Sequence, residues 1–148
     1  MDRKAQASTE YLVLLAIVIV VAVVVAGLLG NFLSFGGETS DRSSKLYWEN
    51  AEVGILDWLM SSSGEDKLVV RNNQNYDIYI TNITVDDETS AVNISVSTGE
   101  KRTVSADWVE CDKESSYSYS VSFVYDNAEF NLTGKSFTGG EKIVGKCN

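Results

Sequence analysis

The N-terminal part of the chain contains one long, uninterrupted apolar run. Nineteen residues, from Tyr11 to Leu29, include no charged side chain. At about 1.5 Å per residue the run would be roughly 28 Å long as a helix, close to the hydrocarbon thickness of a bilayer. Valine and isoleucine are frequent in it, but a buried strand is only about 4 to 8 residues long. The length therefore predicts a helix that is able to span a membrane.

The residues around this run are typical of a helix with a defined orientation. Ser8 is a candidate N-cap, and Glu10 in the first turn would complement the helix dipole. Arg3 and Lys4 precede the run, whereas acidic residues follow it. This charge asymmetry predicts that the N-terminus lies in the cytoplasm and the remainder of the chain outside.

Two predictions concern the segment that follows the apolar run. The stretch from Ser34 to Ser44 is rich in glycine, serine and charge and contains Gly36-Gly37, which predicts a break or hinge. From Lys45 to Met60 the apolar residues recur at helical spacing, which predicts a short amphipathic helix that covers a sheet. We interpret the Trp48 and Trp58 rings as packing residues rather than a ligand platform.

From Lys67 onward the period of the pattern changes to two. Aromatic and apolar residues alternate with serines from Tyr117 to Tyr125, and a second run from Ala128 to Thr133 follows Asp126-Asn127, which predicts a β-hairpin. Further predicted strands are residues 78–85, 92–96 and 102–108. The predicted fold class is α+β: a long N-terminal hydrophobic helix followed by a small antiparallel β-sheet or sandwich head domain.

The composition argues against several functional classes. Lys and Arg number 12 against 21 for Asp and Glu, the formal net charge is −9, and the chain has no histidine. A Ser-His or Cys-His pair, an imidazole base and a His-ligated zinc site are therefore excluded. An enzyme is not expected, and we predict no catalytic, cofactor-binding or metal-binding residue. Nucleic-acid binding is not expected either, because it normally requires a basic surface.

The cysteines and the acidic turns suggest structural roles. Cys111 and Cys147 match no CxxC redox or zinc motif, so a single disulfide formed in an oxidising compartment is the better prediction. Asp86-Asp87-Glu88 lacks the alternating ligand spacing of a calcium loop, and we interpret it as a solvated turn.

Three N-x-[ST] sequons begin at Asn82, Asn93 and Asn131. Asn93 and Asn131 fall on the polar phase of their predicted strands, where a glycan could project into solvent. Asn82 shares its parity with Ile78 and Ile80, so it would point inward unless a bulge resets the phase.

Two processing routes would give different molecules. A secretory signal would be cut at a small-x-small site such as Val24-Val25-Ala26 and release a soluble protein. The nineteen apolar residues, however, exceed the roughly 7 to 15 that are usual for such a signal.

The second route rests on a resemblance. The residues Lys-Ala-Gln-Ala-Ser-Thr-Glu-Tyr-Leu at positions 4–12 resemble the class III signal peptide of archaeal type IV pilins. The resemblance implies that a prepilin peptidase cuts between Ala5 and Gln6, so that Glu10 becomes the fifth mature residue, where the family carries a glutamate. It further implies a leader at residues 1–5, a hydrophobic assembly or transmembrane helix at 6–35 and an extracellular β-rich head at 36–148.

A uniformly apolar helix must be wrapped by other apolar helices outside lipid. Ala22, Ala26 and Gly30 form a small-xxx-small stripe that would allow helix backbones to approach closely. A heterologous contact between copies need not close and would grow a helical filament, whereas the alternative is a simple membrane anchor. Glu10 is predicted to pair with the α-amino group of Gln6 in its own or a neighbouring subunit. Its alternative role is an exposed acid at the membrane surface.

The expected function is therefore that of a pilin, the structural subunit of a filament that serves surface adhesion. The expected partners are copies of itself in a helical homopolymer, the membrane before assembly and, as the resemblance implies, a prepilin peptidase and a pilus assembly ATPase with its platform. The resemblance also implies N-glycans. The expected location is the cell membrane before assembly and an extracellular surface filament afterwards. The alternatives are a single-span anchored binding or adhesion domain and a minor pilin.

Overall fold

The computed structural model describes the backbone of residues 3–34 and 36–148 and the side chains of residues 10–27 and 40–148. The chain divides into two compact units, residues 1–39 and residues 40–148, and the second is called the β unit below. Two helices come first, α1 (Arg3–Ser34) and α2 (Gly36–Asn50). The described strands are β1 (Val53–Leu59), β2 (Asp66–Asn72), β3 (Ile78–Val85), β4 (Glu88–Val96), β5 (Lys101–Ala106), β6 (Ser116–Tyr119), β7 (Val121–Asn127), β8 (Leu132–Thr138) and β9 (Ile143–Lys146).

The strands form three antiparallel sheets. Their orders are β1-β2-β5, β4-β3-β7-β8 and β6-β9. Buried residues from all three sheets and from α2 belong to a single hydrophobic core. The predicted fold class, an N-terminal apolar helix followed by antiparallel sheets, is confirmed.

The predicted break between Ser34 and Ser44 contains the boundary between the two compact units, which lies between Thr39 and Ser40. Residues 36–44 are nevertheless helical and belong to α2. Both glycines of this stretch, Gly36 and Gly37, lie in the first turn of that helix. Helix ends already lack part of their hydrogen bonding, so glycine disturbs a helix less there than in its interior. Residue 35 lies outside the described residues.

The predicted helix from Lys45 to Met60 is wrong beyond Asn50, because residues 53–59 form strand β1. A bulge between Ile55 and Asp57 shifts the register of β1 against β2. Val53 and Ile55 face the core before the bulge, and Trp58 and Met60 face it afterwards. The resulting intervals of two and three residues resemble helical spacing, which explains the error.

The alternation from Tyr117 to Tyr125 belongs to two strands rather than one. β6 pairs with β9 in one sheet, and β7 pairs with β3 and β8 in another. The predicted hairpin exists between β7 and β8, but its second strand begins at Leu132 instead of Ala128. The Asn127 side-chain oxygen accepts the backbone N–H groups of Glu129 and Phe130, which stabilises a turn at the start of the predicted strand.

Helix α2 packs onto the core of the β unit through Trp48. Its buried ring lies edge-on to Phe123 and Phe137, with centroid distances of 6.3 Å in both cases. A Cβ atom at Gly139 would lie 2.1 Å from that ring, so the close approach requires glycine. Trp58 is half-buried, and its indole N–H donates to the Val144 carbonyl at 3.0 Å. The packing interpretation of both tryptophans is confirmed.

Cys111 and Cys147 form the predicted disulfide, with their Cα atoms 6.0 Å apart. Closing a loop of this length stabilises a fold by roughly 4 kcal/mol in the chain-entropy treatment. Next to it, the Asn148 N–H donates to the Met60 carbonyl, and the Ser62 N–H donates to the Asn148 carbonyl. These two bonds attach Asn148 to the segment that follows β1.

Candidate functional site

Every described residue of α1, from Glu10 to Gly27, is exposed to solvent in the isolated chain. The mean hydropathy of this stretch is 2.8, and the stretch is long and apolar enough to cross a membrane. Its large apolar side chains are between 43% (Leu15) and 67% (Tyr11) exposed, on all sides of the helix. Because water solvates such a surface poorly, the helix requires lipid or other apolar helices around it.

The predicted assembly residues are described only in part. Ala22 and Ala26 are exposed and stand four residues apart, which places them on one face of α1. The backbone of Gly30 is part of the same helix, but its surroundings lie outside the described side chains. The small-residue face is thus described at two of its three predicted positions.

The predicted cleavage residues, Ala5 and Gln6, belong to the backbone of α1, and their side chains lie outside the described residues. The side chain of Glu10 is described and exposed. No ion pair between described residues involves Glu10. Its predicted pairing with the Gln6 amine therefore stays a prediction.

The outer face of the β4-β3-β7-β8 sheet is almost uncharged. Directly opposed residues of an antiparallel pair share a face, so the strand registers define its members. Asp126 is the single charged residue among them, although the whole chain carries 33 charged side chains, 12 basic and 21 acidic. This hydroxyl-amide face consists of Tyr79, Asn82, Thr84, Thr89, Ala91, Ser95, Ser122, Val124, Asp126, Ser136 and Thr138.

A bulge places Asn82 on this outer face. It lies between Ile80 and Asn82 in both ladders of β3, and the Thr81 hydroxyl donates to the Val124 carbonyl at 3.0 Å. Ile83 is buried where strict alternation would have placed Asn82. Asn82 is instead half-buried and lies opposite Ala91 and Val124. The bulge thus resets the phase of β3, as the accessibility of this sequon requires.

The other two sequon asparagines, Asn93 and Asn131, are both exposed. Their φ angles are 48° and 51°, in the left-handed region that asparagine tolerates better than most residues. Asn93 lies within β4, and Asn131 immediately precedes β8. All three asparagines are thus reachable from solvent to some degree.

An open groove of about 700 Å³ lies at one end of the β unit. It is bordered by the β1–β2 loop, the β3–β4 turn, the segment after β5, and Tyr119. Among the described residues that line it there is no lysine or arginine. This acidic groove has five carboxylates: Asp86, Asp87, Glu88, Asp107 and Glu110.

The electrostatics of the acidic groove act on Tyr119. Burial, followed by the negative charges of Asp86 and Asp66, raises the pKa of the Tyr119 phenol above its ordinary value. Within residues 10–27 and 40–148, no group of three or more His, Cys, Asp or Glu side chains is arranged to hold a metal ion. Of the five acids in the groove, only those of the Asp86–Glu88 turn stand out in the sequence. The other acids come from a segment twenty residues further along, which only the sheet topology brings near it.

The turn at Asp86 provides a prediction about stability. Asp86 has a φ of 56°, whereas Asp87 does not lie in the left-handed region. Asp86→Gly is expected to raise the free energy of unfolding by about 0.5–1 kcal/mol, because glycine adopts this conformation without strain. Asp87→Gly removes the same charge without relieving strain and is expected to lower the free energy by about 0.5–1 kcal/mol. Urea unfolding followed by tryptophan fluorescence measures both. Equal changes for the two variants would contradict the strain argument.

Comparison with known proteins adds no family. No protein-family model matches the chain, and no curated protein matches it.

Proposed function

We propose that this chain is a pilin, a structural subunit of an archaeal type IV pilus-like filament, and that it polymerises through α1. The observation that carries the proposal is the described part of that helix, which is apolar and exposed on every side from Glu10 to Gly27. The class III signal-like residues at positions 4–12 directly precede and overlap it. The retained helix would be residues 6–35, and the extracellular head would be residues 36–148.

The proposed mechanism is assembly. Lipid would cover the apolar helix before assembly, and neighbouring copies of the same helix would cover it in the filament. Ala22 and Ala26 would permit close approach of adjacent helices. A heterologous contact, in which each subunit offers two different surfaces, extends into a helical fibre. A prepilin peptidase would release the mature N-terminus, and an assembly ATPase with its platform would move subunits from the membrane into the fibre.

The β unit would form the outside of the filament, where it would serve adhesion. Its hydroxyl-amide face supports this role because it is a broad, nearly uncharged surface that offers Asn82 for modification, with the exposed Asn93 on the neighbouring strand. Glycans at the three sequons are part of the proposal. The mass of the intact protein from its native host tests them, since a mass equal to that of the bare polypeptide would exclude glycans.

N-terminal sequencing of the protein from its native host is the decisive test. A mature chain that begins at Gln6 retains α1 and supports the proposal. A chain that begins after Ala26 lacks almost all of the apolar helix, and a free monomer of that kind would exclude polymerisation through α1.

Electron microscopy of cells that lack this chain separates the remaining candidates. Loss of most filaments supports a major subunit. Unchanged filaments support the single-span anchored adhesion domain, and fewer filaments of normal diameter support a minor pilin.

The proposed pairing of Glu10 gives a prediction about assembly. Glu10→Gln keeps the size of the side chain but removes the charge that would face the Gln6 amine. We expect filaments to elongate roughly threefold to tenfold more slowly, because the positive α-amino group of Gln6 would be left unpaired next to apolar helices. The rate is measured by regrowth of filaments after shearing, and Glu38→Gln serves as a control outside the apolar run. Regrowth of the Glu10 variant at the wild-type rate would contradict the pairing.

A further inference from the structure

The outer face of the β1-β2-β5 sheet differs in charge from the rest of this acidic protein. Leu68 and Val70 of β2 point into the core, so the alternate residues of that strand point outward. The strand registers place Lys67 beside Leu59 and Ser105, and Arg71 beside Lys101. This basic face, defined by Lys67, Arg71 and Lys101, thus carries three positive charges.

The positive charges of the basic face are poorly neutralised within the chain. Arg71 and Lys101 are directly opposed across two strands, an arrangement of like charges that destabilises a sheet. Arg71 donates to the Glu49 carbonyl and the Asn73 side chain, neither of which carries a charge at the accepting atom. Among the described residues, neither Lys67 nor Lys101 forms an ion pair. Of the residues that the strand registers place on this face, Asp57 is the single acidic one.

The acidic groove carries an excess of negative charge. Its carboxylates come from the β3–β4 turn and from the segment after β5, and no positive side chain lines it within the described part of the chain. Five like charges around one open groove of about 700 Å³ repel one another, and a cationic surface placed there would relieve that repulsion. The groove and the basic face involve different residues of the β unit, so a single copy offers both at once.

We propose that the basic face of one copy of this chain docks against the acidic groove of the next copy. The occupant is a second copy because the chain itself supplies both members of the complementary pair. The contact is heterologous, which is the type that continues along a filament instead of closing into a dimer. Half-exposed Val69 lies between Lys67 and Arg71 on β2, exposed Leu59 lies beside Lys67, and both supply apolar area to the contact. This inference rests on the proposed function, to which it adds a charge-specific contact between β units.

Charge reversal in the full-length chain, expressed in its native host, tests the proposal. One variant combines Lys67→Glu with Lys101→Glu, which gives the basic face a net charge of −2 once Arg71 and Asp57 are counted. Another combines Asp87→Lys, Glu88→Lys and Asp107→Lys, which leaves three lysines in the groove against Asp86 and Glu110 and so a net charge of +1. Each reversal places like charges against each other, and we expect it to lower the yield of sheared filaments by about tenfold. The combination of all five substitutions restores opposite charges and should return the yield to within about threefold of wild type. Lys113→Glu with Lys146→Glu is the matched control, since both lysines are exposed and lie outside both surfaces.

The outcomes separate this inference from the proposed function. Wild-type filament yield in both reversal variants, or a combined variant no better than either one, would overturn the contact while leaving polymerisation through α1 intact. Failure of wild-type cells to make filaments from this chain would overturn the proposed function itself. Misfolding of a variant is recognised by loss of the membrane-bound subunit or of the Cys111–Cys147 disulfide on a non-reducing gel.

A second measurement does not depend on any variant. Zero-length carbodiimide cross-linking of mixed light and heavy isotope-labelled filaments joins a lysine of one copy to a carboxylate of another. The expected product is a mixed light-heavy peptide pair that contains Lys67 or Lys101 and the Asp86–Glu88 segment. Inter-copy products that involve other lysines but neither of these would overturn the assignment.

Discussion

Replacing Asp66 with alanine is expected to lower the free energy of unfolding of the β unit by about 3 to 6 kcal/mol. The Asp66 side chain is only 1% exposed, yet no ion pair between described residues involves it. Its two carboxylate oxygens instead accept three backbone N–H groups, those of Ser61 at 2.9 Å and of Trp108 and Val109 at 3.0 Å each. Alanine would leave all three donors without this acceptor, and each unsatisfied buried donor costs about 1–3 kcal/mol. The expected loss stays below the full sum of three such costs because the hydrogen bonds from Ser61 and Val109 are only partly buried.

The geometry gives this prediction a graded form. Asp66→Asn keeps one side-chain oxygen but replaces the other with an NH₂ group, which cannot accept a hydrogen bond. The free energy of unfolding of the Asp66→Asn variant should therefore lie between that of the wild type and that of the alanine variant. Glu65→Ala is the matched control, because Glu65 is the exposed acidic neighbour, and it should change the free energy by less than about 0.5 kcal/mol.

Urea unfolding of the full chain in detergent, followed by tryptophan fluorescence, measures these differences. All three tryptophans, Trp48, Trp58 and Trp108, lie in the β unit, so the signal reports that unit alone. An Asp66→Ala variant as stable as Glu65→Ala would show that the three backbone groups find other partners and that the carboxylate does not fix the two loops.

The N-terminal helix was predictable because the length and hydrophobicity of one continuous segment are enough to determine its structure. Nineteen consecutive uncharged residues are too many for a strand and too apolar for a solvated loop, whatever the rest of the chain does. Strand β3 was predicted with its observed bounds, Ile78–Val85, for a similar reason. Its alternating apolar residues and flanking polar turns are local features.

Two features of the strands misled the predicted secondary structure: a bulge, which alters the period, and a change of partner strand, which leaves the period unaltered. In β1 the extra residue near Leu56 changes the interval between inward positions from two to three, so a strand imitates a helix. In β3 a bulge of the same kind turns Asn82 outward. Between Tyr119 and Val121 the alternation continues although the hydrogen-bonding partner changes from β9 to β3 and β8. Alternation reports which side a residue faces, but it does not report which strand lies beside it.

The acidic groove and the role of Asp66 could not be read from the sequence. Asp66 lies at the start of β2 and accepts hydrogen bonds from two loops. One loop contains Ser61, five residues before Asp66, and the other contains Trp108 and Val109, more than forty residues after it. Its sequence neighbour Glu65 is acidic too, and nothing local distinguishes the buried carboxylate from the exposed one. The groove likewise combines three segments that come together only after the strand order is fixed.

Enlarging the small residues of α1 is expected to abolish most filaments without releasing the chain from the membrane. Ala22→Leu combined with Ala26→Leu makes the helix more apolar, so membrane retention should be unchanged. In the filament, however, the two leucines would occupy the face on which helix backbones approach closely. Overpacking of about 1–3 kcal/mol at each of two sites predicts a loss of filament yield of at least roughly thirtyfold.

The matched control is Val20→Leu combined with Val24→Leu. These residues have the same four-residue spacing but, at about 100° per residue, lie on the opposite side of the helix from Ala22 and Ala26. Each change adds a single methylene, and we expect a yield within about threefold of wild type. Immunoblots of sheared filaments and of the membrane fraction measure both quantities. An unchanged yield in the alanine-to-leucine variant would show that helix backbones do not approach closely at Ala22 and Ala26 in the filament. An equal loss in both variants would show that the whole circumference of the helix is tightly packed and that the small-residue face has no special part in assembly.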